Sequence, residues 1–219
     1  MDIVILGGGI VGLTMANLLA RDPDLNIALL EPHTPQLVWD PSIYDVRCSA
    51  INIAVQNIFS HLGIWKNIIA ERVGIYDRML VWDQELHNKL DFNADAMNVY
   101  NLGYIVENRV MVKALYQRLL TMANVEIISA KADKFIAGAE YNTIAIGARN
   151  IACKLVIGAD GANSWLRTQA QLTTVGWDCK QIALVATIRT EIPHANIAQQ
   201  RFMPDGPLAF LPLAESNLC

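Results

Sequence analysis

The stretch that decides the fold is residues 2–31, DIVILGGGIVGLTMANLLARDPDLNIALLE. Residues 2–6 form a short apolar run typical of a buried parallel strand, and three glycines end it. Residues 10–21 have the apolar spacing of a helix, and residues 26–31 form a second apolar run after an Asp-Pro-Asp turn. The stretch therefore predicts a β-α-β unit with a right-handed crossover and a parallel sheet.

Glycines stand between the first strand and the helix in the spacing Gly7-x-Gly9-x-x-Gly12, with Gly8 inside it. Gly7 permits a tight turn, Gly9 lets the backbone approach a pyrophosphate, and Gly12 allows close packing of helix on strand. Glu31 ends the second strand, where an acid accepts hydrogen bonds from a ribose and disfavours a 2′-phosphate. These residues predict a dinucleotide site, held by amide groups and the helix dipole, without distinguishing FAD from NAD.

The composition excludes several classes of protein. The chain has 219 residues, 53% of them hydrophobic and 17% charged, with a formal net charge of -4 and a mean hydropathy of +0.27, which argues against disorder and nucleic-acid binding. Its four cysteines and four histidines lack metal-site spacing, so no metal is expected. We see no signal peptide and no apolar run long enough to span a membrane. We therefore expect a cytoplasmic protein, at most peripherally associated with a membrane or a biosynthetic complex.

The rest of the chain predicts alternating strands and helices. Residues 32–48 carry three prolines and predict a long loop, and Ser49 is placed to cap a helix that runs to Leu62 and stops at Gly63. The other predicted features are a helical spacing of Val11, Met15, Leu18 and Leu19, a helix over 108–123 with Met111, Leu115, Leu119 and Met122 on one face, a helix over 162–170, and strands within 75–106 and at 125–129, 131–136, 142–146, 154–157, 182–188, 201–203 and 208–213.

A second motif occupies residues 154–167, KLVIGADGANSWLR. Taken alone, Asp160-Gly161 is an ordinary turn after a strand. Together with the N-terminal unit, however, the whole string resembles the Asp-Gly motif of the flavin aromatic hydroxylases, the single-component FAD monooxygenases. That resemblance places Asp160 and Gly161 near the FAD pyrophosphate and links Asp160 to the use of a nicotinamide cofactor.

Further strings resemble the ubiquinone-biosynthesis hydroxylases within that family. The similarity is strongest to the bacterial polyprenylphenol hydroxylases that act at ring C5, with the C6 and C1 hydroxylases as close relatives. The strings that carry it are RCSAIN (47–52), LGIW (62–65), IVEN (105–108), ALVATIRTE (183–191) and FMPDGPLAFLPL (202–213).

The resemblance implies an activity and additional site residues. It implies that FAD reduced by NAD(P)H reacts with O2 to give a flavin C4a-hydroperoxide, which hydroxylates the ring of a polyprenylated phenol. Because the cofactor carries this chemistry, we assign no acid–base catalyst. Arg47 would lie near the FAD phosphates; the alternative is a solvated loop arginine, but a cation beside a diphosphate has a clear electrostatic reason to be there. Asn108 would touch FAD or simply cap the following helix. Arg167 is expected to pair with a carboxylate on its helix.

The implied fold is α/β: a Rossmann-like FAD-binding domain of the p-hydroxybenzoate hydroxylase type with part of a β-rich substrate domain. Family members are nearly twice as long and carry a later Gly-Asp-Ala-Ala-His motif, so we expect the chain to be a truncated N-terminal half that binds FAD weakly or not at all and is inactive alone. The predicted domains are FAD-binding over 1–74 and 107–175, and substrate-binding over 75–106 and 176–219.

Two other functions remain open from the sequence. One is a flavin-dependent reductase of a prenyl substrate, which product analysis for incorporated oxygen would separate from a hydroxylase. The other is a non-catalytic module that binds a prenyl group, which tight prenyl-lipid binding without flavin would favour.

Overall fold

A computed structural model describes residues 1–84 and 89–219. The described chain divides into two compact units, the first made of 1–38 and 112–182 and the second of 39–111 and 183–219. Residues 85–88, part of the predicted β segment over 75–106, lie outside the described residues. The assignment of one predicted domain to the cofactor and the other to the substrate stays a prediction.

Short strands dominate the described chain. The strands are β1 Ile3–Leu6, β2 Ile27–Leu30, β3 Cys48–Asn52, β4 Gly74–Tyr76, β5 Arg78–Asp83, β6 Lys89–Asn93, β7 Gly103–Glu107, β8 Val125–Ile128, β9 Lys134–Ile136, β10 Asn142–Ile146, β11 Arg149–Cys153, β12 Leu155–Gly158, β13 Ile197–Met203 and β14 Gly206–Phe210. The helices are α1 Ile10–Leu19, α2 Ile53–His61, α3 Trp65–Glu71, α4 Asn108–Leu119 and α5 Trp165–Gln169, and Asp95–Met97 form a 3-10 turn.

The first unit is built on a four-stranded parallel sheet in the order β12-β1-β2-β8. Every residue of β1 and β2 is buried, as the unbroken apolar runs predict for a sheet covered on both faces. A second, antiparallel sheet, β11-β10-β9, shares a core with it. That core contains Val4, Leu6, Ala28, Leu30, Ala132, Ile144, Ile151, Cys153 and Leu166. The predicted β-α-β unit and parallel sheet are confirmed.

Helix α1 buries small and polar residues as well as apolar ones. Leu13, Ala16 and Asn17 are fully buried, whereas Val11 is 70% and Met15 37% exposed. The predicted helix is correct, but its apolar spacing does not mark the buried face, because Gly12 and Ala16 allow the helix to approach the sheet more closely than branched side chains would. Asn17 lies in the buried stripe because its amide donates to the Leu13 and Leu115 carbonyl oxygens at 2.8 and 3.0 Å.

The second unit contains two sheets. One has the order β14-β13-β5-β6, in which β13 pairs parallel with β5 and the two outer pairs are antiparallel. The other, β3-β7-β4, is antiparallel throughout. Helix α2 stops at Gly63, which takes a φ of +75°, as its sequence predicts.

Two local predictions in this unit are wrong. Ser49 caps no helix, because it lies in β3, and the cap of α2 is Asn52, whose Oδ1 accepts a hydrogen bond from Val55 N at 3.1 Å. The structure also has helix α3, which the sequence analysis missed. The misplaced cap arises from the pairing of β3 with β7, a long-range contact that local spacing does not encode.

The predicted strand over 182–188 is also wrong. These residues have no regular structure, and Ile182 and Leu184 are 100% and 96% exposed. Only the end of the segment is paired, where Ile188 exchanges backbone hydrogen bonds with Cys219 at 2.9 and 3.1 Å. A run with high β propensity becomes a strand only where a neighbour supplies hydrogen bonds, and the described residues supply none along 182–187.

No helix in the described part of the chain is long and apolar enough to cross a membrane.

Candidate cofactor site

The turn after β1 is closed by backbone contacts that exclude side chains. Gly7 has a φ of +105°, and a Cβ there would lie 2.3 Å from the Ala159 carbonyl oxygen. A Cβ at Gly12 would lie 1.9 Å from the Gly7 carbonyl oxygen. Because neither contact leaves room for even a methyl group, strand, turn and helix are held together by the absence of side chains.

Gly9 has the opposite surroundings. A Cβ at Gly9 would meet no atom within 4 Å, so this position faces open space. Gly9 is also the N-cap of α1, and the helix has neither a side-chain cap nor an acidic residue in its first turn. The positive end of the helix is therefore available to an external anion, as a pyrophosphate site requires.

Glu31 contacts the glycine turn directly. Its Oε2 accepts a hydrogen bond from Gly8 N at 2.6 Å, and its Oε1 accepts one from His33 N at 3.1 Å. A Cβ at Gly8 would lie 2.7 Å from the Glu31 side chain, which explains why this position also needs glycine. The carboxylate, 23% exposed, is thus fixed at the turn, while its remaining lone pairs are free to accept hydrogen bonds from a ribose.

Asp160 orders the start of helix α5. Its Oδ1 accepts from Ser164 Oγ at 2.6 Å and its Oδ2 from Leu166 N at 3.1 Å. Burial opposes ionisation of this carboxyl, but the hydrogen bonds from Ser164 and from backbone amides outweigh it and hold its pKa below the ordinary value. Gly161 follows with a φ of +89° and open space where a Cβ would stand.

Arg167 pairs with no carboxylate among residues 1–84 and 89–219, so that prediction is wrong for the described chain. Its Nη2 donates to the Ala162 carbonyl oxygen at 2.7 Å, and its backbone N–H donates to the capping Ser164 Oγ at 3.1 Å. The arginine therefore closes the turn that precedes α5 and has no evident part in the cofactor site.

Gly7, Gly9, Glu31, Asp160 and Gly161 line a cavity of about 570 Å³ within the first unit. Each of the four parallel strands contributes lining residues just after its carboxyl end: Gly7 and Gly9 after β1, Glu31, Pro32 and His33 after β2, Ala130, Lys131 and Ala132 after β8, and Ala159, Asp160 and Gly161 after β12. Ligands of open parallel sheets bind at this edge. The uncapped helix, the space at Gly9 and the acid at Glu31 fit a dinucleotide.

The sequence analysis missed part of the cavity wall. His33 and Lys131 line it, as do Asn163 and Trp165. The signal for His33 and Lys131 was present, because both residues follow strands of the parallel sheet, whose carboxyl ends share one edge.

Arg47 and Asn108 belong to the second unit, where they lie side by side. Asn108 N donates to the Arg47 carbonyl oxygen at 2.8 Å, and Asn108 Oδ1 accepts from Ser49 Oγ at 2.6 Å. Asn108 is the first residue of α4, and its side-chain oxygen is bound to Ser49. The Arg47 side chain is exposed. Their contact with FAD stays a prediction.

Comparison with known proteins identifies the family. A family model described as an FAD binding domain matches residues 1–204. The chain belongs to the FAD binding domain family. It is 36% identical over 232 residues to the mitochondrial ubiquinone biosynthesis monooxygenase COQ6 of Danio rerio, covering 99% of this chain and 48% of that protein. It is 34% identical over 219 residues to the 3-demethoxyubiquinol 3-hydroxylase of Escherichia coli, covering 98% and 55%.

Solved structures show the same fold. The Pseudomonas aeruginosa protein pqsL, titled a probable FAD-dependent monooxygenase, superposes with a TM-score of 0.76 at 16% identity, covering all of this chain and 58% of that one. The p-nitrophenol 4-monooxygenase PnpA of Pseudomonas putida superposes with a TM-score of 0.70 at 19% identity, covering 99% and 55%. The α/β fold with a Rossmann-like FAD-binding sheet is confirmed, and the chain spans about half the length of the curated relatives it matches.

Proposed function

We propose that the protein is part of an FAD-dependent monooxygenase that hydroxylates the aromatic ring of a polyprenylphenol in ubiquinone biosynthesis, using NAD(P)H and O2. The observation that carries this proposal is the cavity at the carboxyl edge of the parallel sheet, where an uncapped helix, open space at Gly9 and the fixed carboxylate of Glu31 meet. The names of the relatives, ubiquinone biosynthesis monooxygenase and 3-demethoxyubiquinol 3-hydroxylase, support the reaction class and the phenolic substrate.

In this proposal the chain's residues bind and orient the cofactor. The amide of Gly9 and those at the start of α1 hold the pyrophosphate, Gly7, Gly8 and Gly12 shape the turn that presents them, and Glu31 accepts from the ribose. The backbone at Asp160 and Gly161 lies along the diphosphate, and Arg47 and Asn108 provide further contacts. When bound, FAD would supply the redox chemistry and the activation of O2. The protein's own task is to position the ring and exclude water.

The remaining proposals concern organisation and location. We assign residues 1–74 and 107–175 to FAD binding. We assign residues 75–106 and 176–219 to substrate binding. We also propose that the protein works in the cytoplasm and contacts the membrane periphery, because a polyprenyl tail partitions into lipid.

Two measurements test the proposal: FAD binding, and the incorporation of oxygen from O2 into the product. Titration with FAD of a protein extended to the length of its relatives, followed by quenching of flavin fluorescence, should show saturable binding that Gly9→Val abolishes, because the added side chain fills the space at the helix start. Incubation with NAD(P)H, a short-tailed phenol and labelled O2 then distinguishes the activities in a protein extended to the length of its relatives. Incorporation of one labelled oxygen supports the hydroxylase, a reduced unlabelled product indicates a reductase, and prenyl-lipid binding without flavin indicates a binding module.

A further inference from the structure

Glu107 is a buried carboxylate that accepts hydrogen bonds from three residues, Arg72, Arg109 and Asp45. It ends β7 and is 3% exposed. Its Oε1 accepts from Arg72 Nε at 2.5 Å, and its Oε2 accepts from Arg109 Nε at 2.9 Å and from Asp45 N at 2.8 Å. The sequence analysis gave this glutamate no role. We call Arg72, Glu107 and Arg109 the anchor.

Arg72 extends the anchor to the segment 39–47. Its Nη2 donates to the Ile43 carbonyl oxygen at 2.8 Å, and its Nη1 donates to the Pro41 carbonyl oxygen. Its guanidinium also lies 3.7 Å from the centre of the Tyr44 ring. One planar fork thus binds a carboxylate, two carbonyls and an aromatic face, which a lysine cannot reproduce.

Arg109 holds the same segment from a second position. Its Nη2 donates to the Ile43 carbonyl oxygen and lies 2.6 Å from Glu107 Oε2, and its guanidinium lies 4.7 Å from the centre of the Trp39 ring. Both arginine side chains are less than one-fifth exposed. Segment 39–45 contains no strand or helix. The anchor nevertheless contacts five of its residues: Trp39, Pro41, Ile43, Tyr44 and Asp45.

The charge state of the anchor favours these contacts. Burial opposes ionisation of Glu107, but hydrogen bonds from Arg72 and from Asp45 N outweigh it and hold the pKa of this carboxyl below its ordinary value. Burial likewise opposes the charged form of Arg72, but the bond to Glu107 raises its pKa. The Glu107 carboxylate and the Arg72 guanidinium are therefore both charged near neutrality, which gives strong, directional hydrogen bonds.

The anchored segment ends at Arg47. The Arg47 N–H donates to Asp45 Oδ1 at 3.0 Å, and its carbonyl oxygen accepts from Asn108 N at 2.8 Å, so the backbone is fixed on both sides. Its guanidinium is exposed and makes no hydrogen bond or ion pair with the described residues. The backbone of Arg47 is thus held while its charge stays available to a ligand.

We propose that the anchor is the positioning device for Arg47: by holding segment 39–47, Glu107, Arg72 and Arg109 fix the backbone from which the Arg47 guanidinium extends. The role rests on the proposed function, in which that guanidinium meets the FAD diphosphate. Pre-ordering the backbone that carries a charged side chain raises affinity because less conformational freedom is lost on binding.

Trypsin cleavage after Arg47 tests the anchor without FAD. Cleavage requires local opening, so Glu107→Gln and Arg72→Lys should each speed the appearance of the fragment ending at Arg47 by about tenfold or more, as a loss of local stability predicts. The matched control is Arg78→Lys, which alters the exposed Arg78–Asp91 pair of the same unit, with an N–O distance of 2.5 Å. Variants are compared at matched helix content, measured by circular dichroism. Equal rates for the wild type and both anchor variants would overturn the proposal.

FAD affinity, measured on the wild type and variants of the protein extended to the length of its relatives, then tests the positioning role. If segment 39–47, once released from the anchor, occupies its binding-competent conformation about one-tenth of the time, Glu107→Gln should weaken FAD binding by about tenfold. Arg47→Ala should weaken it as well, and the double variant should bind no more weakly than Arg47→Ala, because Glu107 acts through Arg47. Additive losses, or equal affinity for the wild type and Glu107→Gln, would overturn the positioning role alone. No FAD binding by the wild type would instead overturn the proposed function, and with it that role, whereas the cleavage result would still report on the anchor.

Discussion

The turn at residues 7–12 and the segment 39–47 are two irregular stretches that are held in opposite ways. The turn is fixed by backbone packed on backbone, with room for no Cβ at Gly7 or Gly12. The segment is fixed by charged side chains, two guanidiniums and one carboxylate. The stability of the turn should therefore be insensitive to pH and should fall when a side chain is added. The stability of the segment should instead be insensitive to changes of side-chain shape and should fall when a charge is removed.

The largest expected effect comes from adding one methyl group to the turn. Gly12→Ala should lower the free energy of unfolding by about 3 kcal/mol, because its Cβ would lie 1.9 Å from the Gly7 carbonyl oxygen and the helix must shift. Gly9→Ala is the matched control and should be close to neutral, because nothing lies within 4 Å. Urea denaturation measures both, and equal losses in the two variants would show that steric closeness does not hold the turn.

The second effect separates the segment from the turn by pH. Glu107→Gln should lower the free energy of unfolding by about 2 kcal/mol at neutral pH, below the usual cost of a broken buried pair because the arginines are partly exposed. The folded pKa of Glu107 is lowered from 4.5, so its contribution is complete above that pH and is lost as the pH falls through the folded pKa.

The difference between wild type and Glu107→Gln should therefore shrink on acidification, whereas that between wild type and Gly12→Ala should not. Urea unfolding across an acid pH series measures both differences. A Glu107→Gln difference that stays constant with pH would mean that charge does not hold the segment.

A third prediction concerns Glu31, a charged residue in contact with the turn. Glu31→Ala should weaken FAD binding by about 1.5 kcal/mol, roughly tenfold, because it removes a charged acceptor for the ribose. It also removes the acceptor of Gly8 N. Glu31→Gln keeps an acceptor and should lose less. Fluorescence titration compares the three proteins, and identical affinities would remove Glu31 from the proposed site.

The smallest expected effect comes from an exposed ion pair, which serves as a reference for the buried charges of the anchor. Arg149 and Glu126 form an exposed pair with an N–O distance of 2.7 Å, and their side chains are 51% and 40% exposed. Arg149→Ala should change the free energy of unfolding by about 0.5 kcal/mol or less, and added salt should erase the change. A loss as large as that of Glu107→Gln would indicate that burial does not distinguish the two sets of charges.

The sequence predicted the turn well because each signal there is local. Strand, glycines, helix and Glu31 lie within thirty-one residues, and the same short stretch that carries the motif also builds the structure. Asp160-Gly161 was found the same way, although the partners of Asp160, Ser164 and Leu166 N, emerged only from the structure.

The anchor could not be predicted from the sequence. Glu107 meets Arg72 across a separation of 35 residues and Asp45 across 62, and no periodicity links such positions. The strand expected over 182–188 failed for a related reason, because propensity is local whereas strand pairing requires a partner from elsewhere.

That unpaired run has a practical consequence. Val175, Trp177, Ile182, Leu184 and Val185 are all at least 64% exposed. Most of their neighbours are uncharged, and no proline interrupts 182–188, a composition that favours intermolecular cross-β stacking. At high protein concentration this run is therefore the part of the molecule from which fibrils or amorphous precipitate would be expected to nucleate, and an added lysine at Leu184 would act as a gatekeeper against them.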